Sequence, residues 1–124
     1  MAVRVLIADD HRLFAEALRA ILGSDGRIDV VGLAASGDEA VEKAKELEPD
    51  VVLMDINMPG LNGVEATREI RATQKNVQVL MVTGSDASQD LEAARTAGAA
   101  GYVTKDRIAA ELIGAILDTG PKSG

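Results

Sequence analysis

The sequence predicts an α/β domain built of βαβ units with right-handed crossovers around one parallel sheet. Three observations carry this. Five short strand-like runs alternate with five segments of helical spacing, the pattern of parallel rather than hairpin-connected strands. The central run Val51–Met54, Val-Val-Leu-Met, is apolar at every position, as a strand covered on both faces must be. The chain has 124 residues, enough for one core that buries roughly two-thirds of the unfolded surface. That core must be aliphatic, because the chain holds one Phe, one Tyr and no Trp.

The first strand is Val3–Ala8, which stops at Asp9-Asp10. Leu13, Phe14, Ala17, Leu18, Ile21 and Leu22 then fall on one helical face, and Gly23 ends the helix. Asp29–Ala35 reads as the second strand. Ser36 with Glu39 three residues on is a capping-box pattern, and Ala40, Val41, Ala44 and Leu47 line the helix it starts. Pro49-Asp50 turns the chain into the central strand. Pro59 and Gly60 force an irregular loop behind Asp55. Asn62 caps the next helix, with Val64, Thr67, Ile70 and Arg71 along it. Val77–Val82 is the fourth strand, ending at Thr83-Gly84. Ser85 or Asp86 caps a helix through Leu91, Ala94 and Ala97, stopped at Gly98. Ala99–Val103 is the fifth strand, ending near Thr104-Lys105, and Ile108–Leu117 is the last helix. Residues 3–118 are thus expected to form the domain, and 119–124, built of Thr, Gly, Pro, Lys and Ser, a linker-like tail.

Twenty acidic residues against thirteen basic ones give a formal charge of −7. Nucleic-acid binding rests on Lys and Arg contacts to phosphate, so this segment is expected to bind no nucleic acid itself. The lack of cysteine excludes disulfides, thiolate catalysis and Cys-based zinc sites. A single histidine, His11, excludes a multi-His metal site. No apolar run reaches membrane-spanning length, and the first residues enter a strand pattern without a signal-peptide layout. A cytoplasmic location and no membrane partner are the matching expectations.

Four of the five strands end in polar residues: Asp9-Asp10, Asp55, Thr83 and Lys105. In a parallel sheet these ends share one edge, the edge where open α/β sheets bind ligands. Clustered carboxylates repel one another in a partly dry site, and a hard divalent cation such as Mg2+, held by one or two carboxylates, relieves that repulsion. A carboxylate can also attack phosphorus to give an aspartyl phosphate. A lysine and a hydroxyl can then hold the added oxygens, since phosphoryl transfer asks mainly for positioning and charge neutralisation.

In this order and spacing, Asp9-Asp10, Asp55 with Met58-Pro59-Gly60 and Gly63 behind it, Thr83 and Lys105 closely resemble the CheY-like receiver domain of two-component response regulators. The resemblance covers nearly all of residues 3–118. It implies a flavodoxin-like doubly wound (βα)5 fold with strand order 2-1-3-4-5. It implies that Asp55 is the phosphoacceptor, that Asp9, Asp10 and Asp55 hold Mg2+ together with the main-chain carbonyl of Asn57, and that Thr83 and Lys105 contact the phosphoryl group. Tyr102 matches the family's aromatic switch position and would act with Thr83. The implied partner is a sensor histidine kinase, with pairing of two copies on phosphorylation a further expectation. The segments Asp-Asp-His-Arg-Leu-Phe at 9–14 and Gly-Tyr-Val-Thr-Lys-Asp at 101–106 look like receivers of the NarL/LuxR type. Those carry a C-terminal helix-turn-helix DNA-binding domain, which residues 1–124 do not contain, so the segment reads as a receiver excised from a transcriptional regulator. A stand-alone receiver acting through protein contacts is the alternative.

Plainer roles stand beside these. His11 fits a helix first turn, with Asp10 or His11 itself as cap. Asn57 fits a turn former, Tyr102 core filler, and the methionines packing. Among other functions, a nucleotide-binding enzyme would need glycines where the first strand meets Asp9-Asp10, and a flavin carrier would need aromatics. An aspartate-nucleophile phosphohydrolase usually places an acid near its nucleophile, where this chain has Asn57. The expected protein is therefore a switch with self-phosphoryl transfer and autodephosphorylation, not a metabolic enzyme.

Overall fold

The computed structural model describes residues 2–56, 58, 62–84 and 88–120. The expectations placed on Asn57, Pro59, Gly60, Ser85, Asp86 and residues 121–124 lie outside them. The chain runs β1 (Val3–Ala8), α1 (Arg12–Gly23), β2 (Ile28–Ala34), α2 (Gly37–Leu47), β3 (Val51–Asp55), α3 (Gly63–Thr73), β4 (Gln78–Thr83), α4 (Ser88–Thr96), β5 (Gly101–Thr104), a 3-10 turn at Lys105–Arg107 and α5 (Ile108–Thr119). The strands form one sheet in the order β2-β1-β3-β4-β5, and every pairing is parallel. This is the doubly wound arrangement the sequence predicts.

Strand alternation divides the core in two. Leu6, Ala8, Val52, Met54, Val79 and Met81 face α2, α3 and α4. Val5, Ile7, Val51, Leu53, Leu80, Val82 and Val103 face α1 and α5. β3 is buried at all five positions, as an apolar strand at the centre of a parallel sheet requires.

The caps follow the sequence chemistry. The Ser36 side chain accepts the Glu39 N–H at 3.1 Å, and Glu39 Oε1 accepts the Ala35 N–H at 2.6 Å. Asn62 Oδ1 accepts the Glu65 N–H at 2.9 Å, starting α3. Gly98, after α4, has φ of +110°, a conformation that L side chains avoid.

The structure corrects the α1 face. Ala15, Leu18 and Leu22 are buried with Phe14 packed beside them, whereas Leu13 is 89% and Ile21 40% exposed, and Ala17 is exposed. Residues 13, 17 and 21 form the next i, i+4 row of the helix. A hydrophobic list that includes both rows spans more arc than one sheet face can cover. Tyr102 is also not core filler, being 50% exposed. Among the described residues no helix is long and apolar enough to cross a membrane.

Candidate functional site

Parallel pairing brings the ends of β1, β3 and β4 and the start of the 3-10 turn to one edge. Ala8 pairs with Met54, Asp55 with Val82, and Thr83 with Thr104. Asp9 and Asp55 continue the alternation of Ile7 and Leu53, and so lean toward the α1 and α5 face. Both are 4% exposed, while Asp10 is exposed at the rim. Burying two carboxylates is costly unless a cation or hydrogen bonds meet them.

Lys105 meets them. Its Nζ lies 3.7 Å from Asp9 Oδ2 and 3.8 Å from Asp55 Oδ2. The same ammonium stands 4.5 Å from the centroid of the Phe14 ring, close enough for cation–π attraction. Phe14 was legible in the sequence only as an apolar helix residue. The available signal was its place in the first turn after the acid pair, as the chain's only phenylalanine.

His11 occupies the N-cap of α1, but its side chain makes no cap bond. Its N–H donates to Asp9 Oδ1 at 2.8 Å, which closes a tight turn. Its Nδ1 lies 3.2 Å from Asp9 Oδ1, 3.4 Å from Asp10 Oδ1 and 3.9 Å from Asp55 Oδ2. One donor atom from each of Asp9, Asp10, His11 and Asp55 falls within 4.8 Å of all the others, so the four could share one metal ion.

Thr83 ends β4, buried and in register with Thr104, the residue before Lys105. It continues the alternation of Met81, and so faces the α3 and α4 side. Tyr102 pairs with Met81 and stands on that same side, one step back along β5. It lines a surface groove of about 400 Å³ with Leu91, Arg95 and Ala99. The structure therefore brings Asp9, Asp10, Asp55 and Lys105 together, sets Thr83 beside them across the sheet edge, and holds Tyr102 farther out.

Behind Asp55 the backbone of β3 presses on the start of α3. The Gly63 N–H donates to the Ile56 carbonyl at 3.0 Å. A Cβ on Gly63 would overlap the Asp55 carbonyl oxygen and lie 2.9 Å from Ile56 Cα. Glycine is needed there for close approach, not for an unusual φ.

The family model described as response regulator receiver domain matches residues 5–117. The chain belongs to that family. This receiver domain is 43% identical over 115 residues to the transcriptional regulatory protein LnrK of Bacillus subtilis, an alignment covering 93% of this chain and 52% of LnrK. It spans about half the length of the curated relatives it matches. Among solved structures it resembles the signal receiver domain of the putative response regulator NarL of Mycobacterium tuberculosis, with a TM-score of 0.90, 37% identity and 94% of each chain covered. It also resembles a chain of the CheX-CheY-BeF3-Mg complex from Borrelia burgdorferi, with a TM-score of 0.88 and 29% identity, covering 96% of this chain and 90% of that one. The receiver domain is the signalling input of a two-component response regulator, and its relatives include transcriptional regulators.

Proposed function

We propose that this receiver takes a phosphoryl group from a sensor histidine kinase onto Asp55 and thereby switches a DNA-binding output. The carrying observation is that Asp9 and Asp55, both buried at one sheet edge, share the Lys105 ammonium at 3.7 and 3.8 Å.

The chemistry follows from that arrangement. An Asp55 carboxylate oxygen attacks phosphorus of the kinase phosphohistidine. The new O–P bond forms as the P–N bond breaks, and the imidazole nitrogen leaves with the bonding pair and takes a proton from solvent. Lys105 is placed to follow the charge from the carboxylate to the phosphoryl oxygens. Thr83 at the next strand end offers a hydroxyl to the same group. Asp9, Asp10 and Asp55 are hard oxygen donors close enough to share one ion, and this set fits Mg2+, with the Asn57 carbonyl as a further ligand by family resemblance. When bound, the ion would neutralise phosphoryl charge.

Residues 3–118 act as the input and 119–124 as the lead into an output domain of helix-turn-helix type. The description of LnrK as a transcriptional regulatory protein supports this. The test of the acceptor is intact mass after incubation with acetyl phosphate and Mg2+. One phosphoryl group is expected, none with chelator, and none in Asp55→Ala. Modification persisting in Asp55→Ala sinks the assignment. This segment alone should leave no DNA footprint at physiological salt, because it is acidic. A sequence-specific footprint would show that output resides here.

A further inference from the structure

We propose that His11 supplies a nitrogen ligand in the same metal shell as Asp9, Asp10 and Asp55, which biases this pocket toward nitrogen-accepting divalent ions such as Mn2+ and Co2+ over Mg2+. The inference rests on the metal site proposed above and adds a donor to it.

An octahedral ion with donors at about 2.1 Å sets adjacent donors about 3.0 Å apart and opposite donors about 4.2 Å apart. His11 Nδ1 stands 3.2, 3.4 and 3.9 Å from one oxygen of each aspartate. Nδ1 now shares a hydrogen bond with Asp9 Oδ1, and it is close enough to one oxygen of each aspartate to enter such a shell when an ion replaces that hydrogen bond. Lys105 approaches two of the same carboxylates, but an ammonium has no lone pair to offer. The His11 backbone is already fixed by its 2.8 Å bond to Asp9 Oδ1, so the ring needs no chain movement to reach the shell.

The donor changes the selectivity in a defined direction. Mg2+ takes oxygen ligands and keeps several waters. Neutral imidazole is a ligand for transition ions, and affinity for a mixed nitrogen–oxygen site rises along the first-row series from Mn2+ to Co2+ and beyond. A site of three carboxylates alone gains little from exchanging Mg2+ for Mn2+, whereas one with His11 gains a metal–nitrogen bond that Mg2+ does not use.

Because His11 is the only histidine, its nitrogen can be observed without ambiguity. Mn2+ is added to the protein and the bound ion examined by pulsed EPR. Imidazole-type 14N modulation is expected, replaced by the 15N pattern when the histidine is isotopically labelled, and absent in His11→Gln. The side chain is 66% exposed, so that variant should fold. The ratio of Mn2+ to Mg2+ affinity should fall in His11→Gln, because the metal–nitrogen bond is lost to Mn2+ and not to Mg2+. Bound Mn2+ without nitrogen modulation overturns the inference and leaves the acidic site standing. A spectrum that stays that of the free ion overturns both.

Discussion

A methyl group added at Gly63 would overlap the Asp55 carbonyl oxygen and crowd the Ile56 backbone. Those neighbours are main chain and cannot rotate away. Gly63→Ala should therefore push α3 off the end of β3 that carries Asp55, at a cost of about 1–3 kcal/mol, and slow modification by acetyl phosphate. Gly114, itself exposed on α5, has nothing within 4 Å of where a Cβ would stand. There the same substitution should stabilise by about 0.5–1 kcal/mol through helix propensity. Urea melts of the two variants check the opposite signs, and two shifts of the same sign would refute the packing argument. At this scale the acids and Lys105 were legible because each ends a strand run, where a charged residue has no packing reason to be. The contacts of His11 and Phe14 were not legible. They depend on how α1 leaves the sheet edge, and helical spacing does not encode that.

Glu48 ends α2 with φ of 48°, and it is the only non-glycine among the described residues with positive φ. Its N–H donates to the Ala44 carbonyl at 3.0 Å, and its own carbonyl accepts from the Arg4 guanidinium at 2.9 Å. Both bonds are made by backbone atoms of residue 48, so glycine would keep them while removing the left-handed penalty. Glu48→Gly should raise stability by about 0.5–1 kcal/mol after the greater freedom of the unfolded chain is allowed for, or roughly 4 °C in Tm. A lower Tm would mean that the Glu48 side chain itself holds the turn. Element order was readable throughout, because periods of 2 and 3.6 residues survive in short runs. Boundaries moved by one or two residues: β2 is Ile28–Ala34, not 29–35, and β4 is Gln78–Thr83, not 77–82. Pairing with the neighbouring strand, not propensity, decides where a strand stops, which is why β3 extends through Asp55 to pair with Val82.

Across the whole molecule, the sheet joins the buried acid edge to the outer groove on the α4 side. Thr83 and Tyr102 stand on one face of β4 and β5, with Thr83 paired to Thr104 and Met81 to Tyr102. Thr83 is buried and Tyr102 half exposed, so one end of this pair lies at the strand end next to Asp55 and the other at the surface. If the Thr83 hydroxyl moves toward phosphoryl oxygens on Asp55, the space it leaves opens behind the strand, toward Tyr102. An inward ring then becomes favourable, and the surface formed by α4, β5 and α5 changes with it. Phosphorylation shifts that equilibrium only by as much as the modified site prefers one state. Tyr102 is the only tyrosine and there is no tryptophan, so its ring signals report without background. Adding beryllofluoride with Mg2+ should move those NMR signals. Thr83→Ala should abolish the movement while Asp55 still accepts phosphate from acetyl phosphate. An unchanged ring environment in the wild-type protein would leave the acceptor chemistry intact and show that the signal leaves the site by another path.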